Sequence, residues 1–148
     1  MGTTAAPAPT RSTVRTLYLV LLAGLASVSV AFSVLFFLGT APLLPADAQT
    51  TLIATIMAVV GMGPVLAGFF WARPNVPLKP TEQSVDDYWR DQAVVGKALI
   101  MWVLWEGAGM IGAVGTLLTG SYYPATMGVV AVALYVTNGP GYLEERTG

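Results

Sequence analysis

The chain has 148 residues, of which 55% are hydrophobic and 10% are charged, and it contains neither histidine nor cysteine. A soluble domain carries about 25% charged residues, so this composition excludes an ordinary water-soluble globule. The missing side chains exclude disulfides, thiolate nucleophiles, histidine metal ligands and Ser/His/Asp triads. A net charge of −1 excludes a basic surface for nucleic acid. The composition therefore argues against an enzyme, and we expect no cofactor of the chain's own.

Charged residues are absent from three long runs, at residues 16–46, 48–72 and 107–143. The hydrocarbon core of a bilayer is about 30 Å thick, and a helix needs about 20 apolar residues to cross it. Runs of this length predict an all-α fold, and specifically an integral membrane four-helix bundle.

The predicted domain organisation follows from these runs. An extended N-terminal arm of low-complexity composition covers residues 1–13, the membrane domain covers 14–138, and a short C-terminal tail covers 139–148. A serine followed by acids at 84–87 is typical of a helix start. It predicts that the third helix begins near Ser84 and continues as one rod. The predicted membrane spans are residues 14–38, 50–71, 93–118 and 124–137.

All seven Lys and Arg residues fall on one side of a membrane that is crossed four times. The two loops expected on the other side, 39–49 and 119–123, contain none. Because Lys and Arg are enriched in cytoplasmic loops, both termini are predicted to be cytoplasmic. The expected localisation is the bacterial inner membrane, with membrane lipids as partners.

Four side chains on the charged side are predicted to dock a partner: Arg11, Arg15, Trp89 and Arg90. Arg11 and Arg15 lie in or next to the arm, and Trp89 and Arg90 lie on the protruding start of the third helix. Two alternatives stay open. The arm folds back on its own helices, or the protrusion is only a solvated helix end.

Glu106 is the one acid inside a predicted span. It lies about 12 Å along the helix from Ala98, near the middle of the bilayer, where an ionisable group is costly and marks a functional site. The small residues Gly109, Gly112 and Ala113 on the following turns predict close helix packing. Three interpretations of Glu106 stay open: an ion carrier, a protonated acid bonded to another helix such as the serine-bearing first span, and a contact to a polar group of another subunit.

Residues 97–114, KALIMWVLWEGAGMIGAV, resemble the ion-carrying second helix of the rotary ATP synthase c subunit. In both, four residues separate a mid-membrane carboxylate from an apolar-Gly-x-Val pattern, here Glu106 and residues 111–114. The resemblance implies that Glu106 carries a proton or a sodium ion. The c subunit is a two-helix hairpin, so the first and fourth spans here have no counterpart in it.

Residues 103–107, VLWEG, carry a second resemblance. They are similar to the third helix of a group of small, uncharacterised four-span bacterial membrane proteins. The resemblance to this group extends over more of the chain than the resemblance to the c subunit, because it includes the four-span pattern. It implies a fold but no activity.

The predicted function is that of an accessory, non-catalytic structural subunit in a larger bacterial energy-transducing membrane complex, photosynthetic or respiratory. Other integral membrane subunits are then its partners, and it contacts lipid, quinone or pigment only peripherally through apolar side chains. The alternative is a c-subunit-like proteolipid that translocates protons or sodium ions through Glu106.

Overall fold

The structure is a computed structural model, and it describes residues 8–148. The described part is helical, without a strand, which confirms the all-α prediction. The elements are α1 (Arg11–Phe37), α2 (Ala48–Leu66), a π-helical segment (Ala67–Ala72), α3 (Arg73–Asn75), α4 (Val85–Arg90), α5 (Gln92–Thr119), α6 (Tyr122–Thr137) and α7 (Pro140–Glu145). The π segment joins α2 and α3 into one helical stretch, Ala48–Asn75.

Three of these helical stretches are long and apolar enough to cross a membrane: Arg11–Phe37, Ala48–Asn75 and Gln92–Thr119. They are compatible with a multi-pass membrane protein. The fourth apolar helix, α6, has 16 residues, and at 1.5 Å per residue it is about 24 Å long.

The helix starts are set by side chains that accept hydrogen bonds from free backbone N–H groups. Thr10 accepts from Thr13 N at the start of α1, and Asp47 accepts from Thr50 N at the start of α2. Since α1 begins at Arg11, residues 11–13 of the predicted arm form its first turn. Residues 1–7 of the predicted arm lie outside the described residues.

The prediction that a single rod runs from Ser84 into the third span is wrong. The expected cap is present, because Ser84 Oγ accepts a hydrogen bond from Asp87 N at 3.1 Å. The resulting helix α4 ends at Arg90, however, and Asp91 has an extended backbone with ψ of 111°. The Asp91 carboxylate accepts from Ala93 N at 2.8 Å and starts α5 as a new helix, a local bond that competes with helix continuation.

α5 is the central helix, and α1, α2 and α6 each pack against it. At one end of the protein lie the start of α1, α3, the 76–84 loop, α4, the start of α5 and α7, and this is named the charged end. There Lys79 N donates to Arg146 O at 3.0 Å, so the loop and the C-terminal segment pair. At the opposite end, Leu44 N donates to Leu118 O at 2.9 Å and ties the α1–α2 loop to the end of α5.

Candidate functional site

Glu106 lies in the middle of α5 and faces α1. Its Oε1 is 3.4 Å from the position that a Cβ atom on Gly24 would occupy, and no other side chain lies within 4 Å of that position. Glycine at position 24 thus leaves room for the carboxylate beside the α1 backbone. The Glu106 side chain is partly buried.

The polar groups nearest in sequence to Gly24 do not bind the carboxylate. Ser27 Oγ donates to Ala23 O at 2.7 Å, Ser29 Oγ to Leu25 O at 2.8 Å and Ser33 Oγ to Ser29 O at 2.8 Å. Each of these three serine hydroxyls is therefore occupied within its own helix. Across residues 8–148, the ion pairs join Arg11 and Arg15 to Glu144 and Arg90 to Asp87, and none includes Glu106.

The small residues beyond Glu106 lie at two helix contacts. A Cβ on Gly109 would be 2.7 Å from Leu25 Cδ1 of α1, and a Cβ on Gly112 would be 2.7 Å from both Gly128 N and Pro124 O of α6. Gly112 thus permits a backbone approach that any side chain would block, whereas a side chain at position 109 would require the end of the Leu25 side chain to move. Ala113 borders a groove between α1 and α6.

Two further glycines take part in these contacts. A Cβ on Gly115 would be 2.7 Å from Pro124 Cβ, and Gly128 faces the α5 backbone at Gly109 and Gly112. Gly115 and Gly128 are visible in the sequence as small residues. The spacing of small residues along one helix, however, does not indicate which other helix packs against it.

The groove between α1, α5 and α6 has a volume of about 510 Å³. Its floor contains Gly109 and Gly112, and its walls include Phe32, Phe36 and Val129. Most pockets that hold a small molecule have about 300–1,000 Å³, so the groove has the size and the apolar walls to accept a lipid chain or a similar hydrocarbon.

Three of the four predicted docking residues meet one carboxylate at the charged end, that of Glu144 in α7. Arg11 Nε donates to Glu144 Oε1 at 3.0 Å, and its Nη2 lies 2.5 Å from Oε2. Arg15 Nη2 is 3.4 Å from Oε2, and the fully buried Trp89 donates through Nε1 to Oε1 at 3.1 Å. The structure places Arg11 as the predicted alternative has it, in which the arm folds back on its own helices.

The charge environment of Glu144 keeps it ionised. Burial raises the pKa of its carboxyl, but the hydrogen bonds from Arg11 and Trp89 and the charges of Arg11 and Arg15 outweigh burial, so the pKa is lowered from its usual value. Arg90, the fourth predicted docking residue, is exposed and pairs with Asp87 at 2.8 Å within α4. It remains accessible to a partner, whereas Trp89 is not.

A second polar cluster at the charged end was not predicted. Arg73 Nε donates to Asn138 Oδ1 at 2.8 Å, and Arg73 Nη2 donates to Tyr142 Oη at 2.5 Å. Trp102 Nε1 donates to Asn138 O at 2.9 Å. The sequence marks Asn138 as a helix stop, but nothing in it indicates that the side chain binds an arginine 65 residues earlier.

The π segment packs against a tryptophan of α5. A Cβ on Gly68 would collide with the Trp105 indole, and Trp105 Nε1 is buried without a hydrogen-bond partner among the described residues. The indole therefore fills the space that glycine leaves in the π segment.

Residues 8–148 contain no group of three or more Asp or Glu side chains placed to hold a metal ion. Comparison of the chain with protein-family models, with curated proteins and with solved structures gave no match.

Proposed function

We propose that the chain is a four-span protein of the bacterial inner membrane, with both termini in the cytoplasm. The distribution of basic residues supports this orientation, since all seven belong to segments that meet at the charged end. For α6 to span, its 16 residues require local thinning of the bilayer or extension by flanking tyrosines, both of which occur when a hydrophobic stretch is short.

Within that membrane, the proposed role is that of an accessory, non-catalytic structural subunit of a larger energy-transducing complex, photosynthetic or respiratory. The supporting observation is the position of α1. Only Val14 and Leu25 are buried among its 27 residues, whereas α5 buries ten of 28. Seventeen of the 27 residues of α1 are exposed and thus remain available to lipids or to neighbouring subunits. The polar clusters of Glu144 and Arg73 hold the helix ends in place.

The experiment that tests this role is native mass spectrometry of the protein extracted from its own membranes in a mild detergent. The proposal expects copurification with larger foreign subunits at a fixed stoichiometry, and the identity of those subunits names the process. A protein that is released alone, or only as copies of itself, contradicts the proposal.

The second candidate function is ion translocation through Glu106, as in the c subunit. It is favoured by one observation, a carboxylate in mid-helix with no bonded partner in the described chain. This function requires a homo-oligomeric ring and labelling of Glu106 by a hydrophobic carbodiimide. Retention of full function in Glu106→Gln would exclude it.

A further inference from the structure

The surface between α1 and α5 surrounds Glu106 with small or exposed residues, and it is named here the Glu106 face. On α1 it comprises Val20, Gly24 and Ser27, which recur at helical spacing and of which Val20 is 62% exposed. On α5 it comprises Val103 and Gly107, which are four residues apart. Val103 is 51% exposed, and no atom lies within 4 Å of the Cβ position of Gly107.

The carboxylate at the centre of this face is not satisfied within the described chain. The three serines that follow Gly24 in α1 donate to carbonyls of their own helix. Four arginines of the charged end are paired with Glu144, Asn138 or Asp87, and Arg146 lies 3.5 Å from Arg73 O. An ionisable group at mid-membrane depth is costly unless it meets a partner of complementary charge or a hydrogen-bond donor. Residues 8–148 contain no such partner for Glu106, and a basic side chain of another subunit would supply it.

We propose that the Glu106 face docks a transmembrane helix of another subunit that carries a lysine or arginine at the depth of Glu106. The inference rests on the proposed accessory role and names its contact. Gly107 lacks a side chain and its Cβ position is open, so the backbone of a second helix can come close enough for its basic group to reach the carboxylate.

The outer face of α2 serves as the comparison surface. Leu52, Ile56 and Val59 are all more than half exposed there, and no charged residue lies between 48 and 72. A surface of large apolar side chains is satisfied by lipid alone. The carboxyl group of Glu106 distinguishes the Glu106 face from this surface of α2, which carries no ionisable group.

The test uses the full chain in phosphatidylcholine vesicles, labelled with a fluorescent donor at a cysteine introduced at the exposed Thr81. The probes are two synthetic polyleucine transmembrane helices that carry an acceptor, one with a single central arginine and one with leucine at that position. Energy transfer reports association. We expect the arginine helix to bind about five- to thirtyfold tighter than the leucine helix.

Three variants locate the effect. Glu106→Gln keeps the shape of the side chain and removes its charge, so the preference for the arginine helix should disappear, and Glu106→Leu provides a second neutral variant. Val59→Glu combined with Glu106→Gln moves the acid to the α2 face and should not restore the preference. Equal binding of both probes by the wild type, or full restoration by Val59→Glu, would overturn the proposal. Self-association that excludes both probes would also overturn it.

This result is separable from the accessory role. If foreign subunits copurify from native membranes but the arginine helix has no advantage, the accessory role stands and the Glu106 contact is wrong. If no foreign subunit copurifies, the accessory role fails whatever the probe shows.

Discussion

Gly112 lies where α5 and α6 come closest, and its hydrogen is the largest side chain that fits. Because an added Cβ would meet the α6 backbone at Gly128 and Pro124, Gly112→Ala must push two helices apart. We expect it to lower the free energy of unfolding by about 1–3 kcal/mol, measured by denaturant titration in mixed micelles. Gly96→Ala is the matched control in the same helix, since its Cβ position has no neighbour within 4 Å. It should be neutral or stabilise by up to about 1 kcal/mol.

The Glu144 carboxylate accepts hydrogen bonds from three side chains, so Glu144→Gln and Glu144→Ala should lower the free energy of unfolding by different amounts. Glu144→Gln retains an acceptor for Trp89 and loses charge pairs whose arginines are 40% and 49% exposed. Solvent screening limits its cost to about 1 kcal/mol. Glu144→Ala also leaves the buried Trp89 N–H without a partner, and its expected cost is about 2–3 kcal/mol. Equal costs in chemical denaturation would show that the hydrogen bond from Trp89 contributes nothing.

The same carboxylate predicts a pH dependence. The pKa of Glu144 is lower in the folded protein than its usual value, so the unfolded chain binds its proton first as the pH falls. The stabilisation is complete above the ordinary glutamate pKa of about 4.3 and is lost as the pH drops through the folded value. The unfolding free energy of the wild type should therefore decline more steeply below about pH 5 than that of Glu144→Gln. Parallel curves would contradict this linkage.

At the scale of the elements, the π segment and α5 form one packing unit. Gly68→Ala places a methyl group against the Trp105 indole and is expected to destabilise by about 1–3 kcal/mol. Trp105→Phe removes the indole N–H and part of the colliding ring. A double-mutant cycle should show that the combined variant is more stable than the sum of the two single effects, by about 1 kcal/mol. Simple additivity would mean that the two residues do not interact.

The helices themselves could be predicted from sequence because uncharged runs and capping residues are local signals. The start of α5 could not, since Ser84 and Asp91 are both adequate caps and only the packed structure shows that each begins its own helix. The side chains of Tyr88 and Trp89 are buried, so α4 packs against the rest of the charged end. The expected solvated protrusion is thus replaced by a packed turn.

The candidate site divides in the same way. Glu106 could be predicted from its isolation in an apolar run, and Gly109 and Gly112 from their spacing. The Glu144 and Arg73 clusters could not, because each joins residues more than 60 positions apart, and no periodicity within one helix encodes a contact between distant segments. For that reason the sequence predicts that Arg11 and Arg15 dock a partner, although the structure pairs both with Glu144.

At the scale of the whole molecule, the four-span proposal makes a test of sidedness simple, because the natural chain has no cysteine. Single cysteines at Glu82 and Glu145 lie at the charged end, and one at Ala46 lies at the other. In oriented vesicles, an impermeant thiol reagent should label the first two from one side and the third only from the opposite side. Labelling of all three from one side would show that the helical stretch Ala48–Asn75 does not cross the membrane, which contradicts the four-span proposal.

The convergence of Arg11 and Glu144 also has a consequence in time. The two residues are separated by 133 positions, and ribosomes add about 5–20 residues per second, so Glu144 emerges about 7–27 s after Arg11. During that interval Arg11 and Arg15 have no carboxylate of this site to bind. The basic end of α1 therefore stays unpaired until Glu144 has been synthesised, and the charged end closes only after that.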